Sequence, residues 1–475
     1  MLAVTVQKKY LKIPKYFNYA DILEIRVDLI DNIDLDWTKR FLKKVKKPWI
    51  LTIRKNSQGG NFKGSEELRL KTISEYLRLN PTYLDIEYDV DLGFVRELKK
   101  KHPSLKFIRS FHDFQKTPSD IEEFVNSKYD PFFDIHKFAF RANSMKDTLK
   151  LMCYLKKRKD QRRIALVAMG KHGHPLRVCG KILGNAISYA SVNEFSKIAS
   201  QLSVRELINI YNYPRLNHKT KIYALIGKGI SHSIGHLFHN FFFSKHDINA
   251  VYVKIPLNKK ELGAFFKLAK DLPIYGLSVT TPFKLSLSTY LADAQGPINT
   301  LKRTEGGWQS KNTDGIGAFN VLKKYLKENT RILLFGSGPT ALSVFEILKE
   351  KFLIDIYSRN YQRTILTYPE KVKVIKDFNS INFSDYDLVI NAASYKADFL
   401  NKVARKNLKT DISFFDMNYQ KENNNLKNPF IKKIAGKELF FSQAIYQQVF
   451  WNEEKYSFEI AEEFKRKWKM DRHQL

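Results

Sequence analysis

KFIRSFHDFQKTPSDIEEFVNSKYDPFFDIHKFAF (residues 106–140) reads as one strand–helix–strand unit. Its two ends, KFIRSFH (106–112) and DIHKFAF (134–140), are apolar runs of strand length, and PSDIEEFVNS (118–127) between them is amphipathic. Two strands joined in this way lie parallel, with the helix covering their sheet. The same pattern extends outward through the first 200 residues, with further strands expected at LAVTV (2–6), ILEIRVD (22–28), WILTIR (49–54), YLDIEY (83–88), RIALVAMG (163–170) and ISYAS (187–191). Amphipathic stretches such as DWTKRFLKKVKK (36–47) separate most of them. Asp28 to Arg54 is 26 residues, and Glu87 to His112 and His112 to Lys137 are 25 each, room for one strand and one helix. Eight such units predict a (β/α)8 TIM barrel, and Arg54, His112 and Gly170 stand at the strand ends, on the rim that carries chemistry in such barrels.

The chain has 475 residues, too many for one core, with 43% hydrophobic and 27% charged residues, which excludes a mostly disordered polypeptide. Two cysteines, Cys153 and Cys179, exclude a disulfide framework and point to a reducing, cytoplasmic home. The N-terminus, MLAVTVQKKYLKIPKYF, has no export signal and no run of 18 apolar residues occurs, so neither secretion nor a membrane partner is expected. Eighty-one Lys and Arg against 49 Asp and Glu leave a net charge of +32, a field that attracts anions. A nucleic-acid partner is one reading of that charge. The bases, however, are spread along the chain among acids, without a basic arm or a nucleic-acid motif, so no nucleic-acid partner is expected; a Lys-, Asn- and Ile-rich composition bias accounts for the charge, with anionic small substrates and a phosphorylated cofactor as beneficiaries. The oligomeric state is left open.

A polar, proline-containing stretch, NYPRLNHKTK (212–221), marks the domain boundary, after which new strands begin with KIYALIG (221–227). NAVYVKIP (249–256), YGLSVTTP (275–282), RILLF (331–335), FLIDIYSRN (352–360), KVKVIKDF (371–378), DLVINAAS (387–394) and ISFFDMNY (412–419) follow, and a helical tail starts at about Gln443. This half is also α/β.

In the first half, Glu24, Arg26 and Asp28 alternate on one strand and share a face. Turned into a barrel they must pair or bind a ligand; on an edge strand they are simply solvated. His112 and Lys137 lie side by side on neighbouring strands. A lysine desolvated in an apolar run is a nucleophile for a carbonyl, and a nearby histidine can move the proton next to the resulting iminium. By themselves the two residues fit an outward-snorkelling lysine and a satisfied core histidine better.

Glu24-Ile-Arg26-Val-Asp28, Thr52-Ile-Arg54, Ser110-Phe-His112-Asp113-Phe114, Asp134-Ile-His-Lys137, Met169-Gly170-Lys-His-Gly173 with Arg177, and Gln201 resemble, in order, type I 3-dehydroquinate dehydratase over residues 1–215. The resemblance implies that Lys137 forms an imine with the C3 ketone of 3-dehydroquinate. His112 would then remove a C2 proton and help expel the C1 hydroxyl. It further implies that Arg177 holds the carboxylate, with Glu24, Arg26, Arg54 and Gln201 completing the pocket. The sequence departs from the family at Gln58, often a glutamate, and around Gln201, where SKIASQ with Lys197 replaces a Ser-Ala-Pro-Gly-Gln segment.

In the second half, Gly336-Ser337-Gly338-Pro-Thr-Ala341 follows RILLF and opens a helix, the geometry that receives a pyrophosphate, although such a turn alone is a weak signal. About 20 residues on, Ser358-Arg359-Asn360-Tyr-Gln-Arg363 offers two arginines where a 2′-hydroxyl reader would carry an acid, which suits NADP rather than NAD; ordinary surface arginines are the other reading. Lys284 and Asp314 are candidates to trade a proton with an alcohol oxygen, or else a solvated salt bridge.

Gly227-Lys-Gly-Ile-Ser-His-Ser233, Gly276-Leu-Ser278-Val-Thr280-Thr-Pro-Phe-Lys284, Gly296-Pro-Ile-Asn299-Thr300, Asn312-Thr-Asp314-Gly315, the turn at Gly336, and Gln443-Ala444 are similar to shikimate dehydrogenase over about 220–475. That resemblance implies a catalytic Lys284–Asp314 pair. It also implies Thr280, Asn299 and Gln443 on the ring hydroxyls, Ser233 on the carboxylate, Tyr419 near the substrate, and Arg359 and Arg363 on the adenosine phosphate. Gly235 stands where a second serine is expected, Pro339 where a glycine is common, and Ala393-Ser394-Tyr-Lys replaces Thr-Ser-x-Gly. The implied organisation is a dehydratase over 1–215 and a two-lobed dehydrogenase over 216–475, with a substrate lobe of 219–322 plus 440–475 and a Rossmann NADP lobe of 323–439. The product of the first inferred reaction, 3-dehydroshikimate, is the substrate of the second, as in bifunctional dehydratase–dehydrogenases of plant and chlamydial type. A degenerate site, or one turned to quinate, is the rival enzyme reading.

Overall fold

Each of the eight apolar runs of the first half is a strand: β1 (Leu2–Val6), β2 (Ile22–Arg26), β3 (Trp49–Thr52), β4 (Tyr83–Glu87), β5 (Lys106–Asp113), β6 (Ile135–Arg141), β7 (Ile164–Met169) and β8 (Ser188–Ser191). The structure, a computed structural model, describes residues 1–10, 12–192, 201–291, 296–369, 371–393, 412–418 and 432–471. Contacts group the chain into two units, Met1–Ala224 with His239–Ile274, and Leu225–Phe238 with Tyr275–Leu475.

In the first unit the strands pair in the order β7-β6-β5-β4-β3-β2-β1-β8, a nearly closed parallel barrel. Helices α1 (Leu35–Val45), α2 (Glu66–Tyr76), α3 (Leu92–Lys101), α4 (Ile121–Lys128), α5 (Met145–Lys157), α6 (His174–Cys179) and α7 (Val204–Asn209) follow β2 to β8 in turn. Asp34, Ser65, Asp91, Asp120, Ser144 and Ser203 open six of these helices, each side chain accepting a backbone N–H from the first turn. The connection after β1 departs from the expected repeat. It holds a 3-10 turn, Lys15–Tyr19, behind Pro14, with Phe17 its buried side chain, and so has no apolar stripe to lay along a sheet.

Register decides what fills the barrel. Ala3, Ile22, Ile50, Ile108, Ile135, Ala165 and Ile187 form a dry inner layer with Tyr83 and Tyr189. Two residues further along β1 to β6, the same inward face presents Thr5, Glu24, Thr52, Asp85, Ser110 and Lys137, so polarity begins toward the C-terminal ends of the strands.

Past the barrel come β9 (Lys221–Gly227), β10 (Ala250–Pro256) and then β11 (Ile274–Val279), β12 (Thr300–Thr304) and β13 (Gly307–Lys311), the last three pairing antiparallel. A six-stranded parallel sheet follows: β14 (Arg331–Phe335), β15 (Leu353–Tyr357), β16 (Val374–Ile375), β17 (Leu388–Asn391), β18 (Ser413–Asp416) and β19 (Lys432–Ile434), ordered β16-β15-β14-β17-β18-β19. This is the doubly wound order with its switch between β14 and β17. Strand β14 is buried on both faces, Ile332 and Leu334 packing with Ala341 and Val344 on one side, Leu333 and Phe335 with Phe378 and Phe383 on the other. The C-terminal helix begins at Gly436, seven residues before Gln443, and runs to Asn452; a second spans Glu459–Asp471.

Candidate active sites

Glu24 and Arg26 are 2% and 6% exposed, so the edge-strand reading of their charges is excluded. Strand β2 ends at Arg26 and Asp28 falls in the 3-10 turn Val27–Leu29, a correction to the expected three-residue alternation. The carboxylate nevertheless turns back to Arg26 in a bidentate pair, Nε–Oδ1 2.9 Å and Nη2–Oδ2 2.7 Å.

Lys137 points inward. Its Nζ lies 2.9 Å from Asp85 Oδ2 and 3.8 Å from Glu24 Oε1, so the apolar surroundings inferred from DIHKFAF hold for its stem while carboxylates meet its amine. Arg54 reaches the other oxygen of Asp85 at 2.8 Å and donates to Ser110 Oγ at 2.5 Å. Burial alone would raise the Asp85 carboxyl, but Arg54 and Lys137 outweigh it and hold it far below the usual carboxylate range. Glu24 accepts from Thr5 Oγ1 at 2.8 Å, and Gln201 donates to that same hydroxyl at 3.1 Å, which ties Gln201 to the cluster.

His112 lies two residues beyond Ser110, the register partner of Lys137, and so shares its face. Burial, then Arg54 and Lys137, push its pKa well below 6.5, which leaves a neutral imidazole at neutral pH; its Nδ1 is buried without a hydrogen-bond partner among the described residues. Arg177, on α6, has its pKa lowered by burial to about 10, and its Nε is likewise unpartnered among the described residues. Such a guanidinium is suited to an incoming carboxylate. Lys197 lies outside the described residues, and Gln58 buries its Oε1 without a partner among them.

Sequence reasoning missed Asp85, Glu87 and Arg69. The first two alternate in YLDIEY just as Glu24 and Arg26 do in ILEIR, a signal that was available. Arg69 left none, since an arginine on a helix reads as solvated. It is fully buried, donating to Glu87 Oε2 at 2.9 Å and to Ile53 O at 2.8 Å.

In the second unit Lys284 pairs with Asp314 Oδ2, and the two side chains are 11% and 9% exposed, so the pair is not a solvated salt bridge. Asn299 Nδ2 donates to Asp314 Oδ1 at 2.8 Å and to Thr313 Oγ1 at 3.0 Å, and lies 3.5 Å from Gln443 Oε1, which brings Asn299, Asp314 and Gln443 together. Lys284 also donates to Thr340 Oγ1 at 3.2 Å, a residue sequence reasoning did not single out, in the helix opened by the glycine turn. Thr280 follows β11, its N–H bonded to Ile226 O at 3.0 Å. Ser233 ends the turn Ile230–His232 and its Oγ accepts from the Gly235 N–H at 3.2 Å. Tyr419 lies outside the described residues.

Gly336 has φ +118°, and a Cβ there would stand 3.1 Å from the backbone of Ala392 and Ala393, so the turn needs a glycine. Gly338 caps the helix Pro339–Leu348, whose first N–H groups are directed at the turn, and Ala341 is fully buried beneath it. Ser337 and Ser358 join turn to β15 through their hydroxyls, 3.0 Å apart. Arg359 and Asn360 line an open cavity of about 570 Å³ with Tyr361, Gln362 and Lys376. Arg363 lies one turn into the helix Tyr361–Thr367, exposed, its N–H capped by Asn360 Oδ1 at 3.0 Å.

Residues 2–218 match the model of Type I 3-dehydroquinase, and residues 225–301 that of the shikimate dehydrogenase substrate binding domain. A 3-dehydroquinate dehydratase of Methanococcus maripaludis is 34% identical over 196 residues, 40% of this chain and 87% of its own. The shikimate biosynthesis protein AroDE of Chlamydia pneumoniae is 29% identical over 456 residues, 93% of this chain and 92% of its own. A solved shikimate dehydrogenase from Aquifex aeolicus is 26% identical, covering 53% of this chain and 99% of its own, with a TM-score of 0.48. The chain belongs to the type I 3-dehydroquinase family and continues into a shikimate dehydrogenase, so that one polypeptide carries both dehydroquinate dehydratase and shikimate dehydrogenase activity.

Proposed function

We propose that the two activities are consecutive, residues 1–215 making the 3-dehydroshikimate that residues 216–475 reduce to shikimate. Lys137 Nζ, having given up a proton, attacks the C3 carbonyl; the C3–O bond breaks, water leaves, and a cationic iminium forms. His112 takes the C2 proton, the electron pair flows toward the iminium, and the C1 hydroxyl leaves as water with a proton returned by His112. Hydrolysis of the imine restores Lys137, so one water is lost overall. Arg177 orients the carboxylate, while Arg26, Arg54, Glu24 and Gln201 line the pocket.

In the second site Asn299, Thr280 and Gln443 bind ring hydroxyls and Ser233 the carboxylate, with Tyr419 beside the substrate. Lys284 gives a proton to the carbonyl oxygen as it becomes an alcohol, and Asp314 holds that ammonium in place. NADPH, when bound, supplies the hydride. Gly336, Ser337, Gly338 and Ala341 form its pyrophosphate turn, and Ser358, Arg359, Asn360 and Arg363 its 2′-phosphate site; the glycine at φ +118° and the cavity bordered by Arg359 and Lys376 support that fit. We further read the chain as cytoplasmic, with small anions rather than nucleic acid as partners; its two cysteines are free and buried, and no described helix is long and apolar enough to cross a membrane.

The observation that carries this reading is Lys137 set inside the barrel against Asp85, on the face it shares with a neutral His112. Borohydride treatment with dehydroquinate, followed by peptide mass mapping, tests it. A ligand-sized adduct on Lys137 that disappears in Lys137→Ala is expected, and an adduct elsewhere, or none with active enzyme, refutes the assignment.

A further inference from the structure

Strand β8 brings a side chain into the barrel that the reaction above leaves unused. Tyr189 pairs in register with Ala3, belongs to the inner layer of the barrel, and presents its ring to Lys137, whose Nζ lies 4.4 Å from the ring centroid. The residue is 8% exposed, and its hydroxyl is buried without a hydrogen-bond partner among the described residues. Glu24 and Asp85, the two carboxylates that meet Lys137, also act on that hydroxyl, as do Arg54 and Arg26. Burial raises its pKa well above 10, which keeps it protonated and a donor. A phenylalanine would fill the same space without stranding a polar atom, so packing explains the ring but not the hydroxyl.

We propose that Tyr189 is a further substrate-positioning residue of the dehydratase: its ring face stabilises the cation on Lys137 Nζ, first ammonium and then iminium, and its hydroxyl donates to an oxygen of the bound polyhydroxylated cyclic acid. The inference rests on Lys137 as the imine-forming residue. It needs no new bond, since the iminium arises by the water-releasing condensation already described.

The test compares Tyr189→Phe and Tyr189→Leu in the full chain, with reduction of dehydroshikimate by the same preparations as an internal measure of folding. Tyr189→Phe keeps the ring and loses the donor: the KM for dehydroquinate rises about fivefold to tenfold with kcat within about twofold, as for one lost hydrogen bond. Tyr189→Leu also loses the ring: kcat falls about tenfold below that of Tyr189→Phe, and borohydride trapping on Lys137 slows in parallel. A KM for Tyr189→Phe equal to the wild type overturns the hydroxyl's role, and equal kcat for the two variants overturns the ring's. An adduct on Lys137 in the wild type, with both variants behaving as wild type, refutes the Tyr189 inference alone, whereas a missing adduct refutes the reading beneath it.

Discussion

Asp85 is the residue on which the dehydratase interior turns, because one carboxylate serves Lys137 with one oxygen and Arg54 with the other. Removing its charge leaves two buried cations competing for Glu24 and Glu87. Asp85→Asn is therefore expected to cost about 3 kcal/mol or more, read as a shift of the first unfolding transition in urea, together with loss of dehydratase turnover. His112 makes a second prediction. Its pKa is pushed below 6.5, so the imidazole stays a competent base as pH falls past that value, and the acid limb of the dehydratase kcat/KM profile lies below 6.5. The same shift lowers stability on acidification, since below pH 6.5 the unfolded chain takes up a proton that the folded one refuses. A limb at or above 6.5 would contradict both. Lys137 and His112 were legible as chemistry because each interrupts an apolar strand, whereas Arg69 was not, since nothing in EELRLKTISEY distinguishes a buried guanidinium from a solvated one.

The glycine-rich turn shows how an element, rather than a side chain, builds a site. Gly336→Ala places a methyl group 3.1 Å from the Ala392–Ala393 backbone at a φ that L-residues rarely adopt. The Kd for NADPH in a fluorescence titration is expected to rise at least about tenfold, while dehydratase activity is unchanged. At the end of β15, Arg359→Ala is expected to reduce kcat/KM with NADPH by about tenfold to a hundredfold and to leave NADH turnover as it was, since only the 2′-phosphate contact is removed. Most strands were legible by their apolar runs, and the barrel helices by their amphipathic stretches, but β12 (TLKRT), β13 (GWQSK) and β19 (KKI) carry no such run and were not read. The C-terminal helix was placed seven residues late because its N-cap, Ala435, makes no side-chain hydrogen bond, so no start signal precedes LFFSQAI.

At the scale of the whole molecule, two sites on one polypeptide turn dehydroquinate and NADPH into a single continuous assay. Lys137→Ala is expected to abolish NADPH oxidation from dehydroquinate but not from dehydroshikimate, and Lys284→Met to abolish both while dehydroshikimate still accumulates from dehydroquinate. Any other pattern would mean that the two chemistries are not divided as assigned. The alternation of apolar runs with amphipathic stretches determined the parallel α/β class of the first half and the α/β class of the second, because burial of one face per strand or helix is written locally, at periods of 2 and 3.6. Motif order likewise determined which residues to suspect. Only the tertiary structure decided that Asp85, Arg54, Glu24 and Lys137 meet, that Asp28 folds back on Arg26 from beyond the strand, and that Tyr189 stands over the amine. Those contacts join residues up to 113 positions apart, Glu24 to Lys137, and barrel register sets them, a geometric quantity that no local stretch of sequence contains.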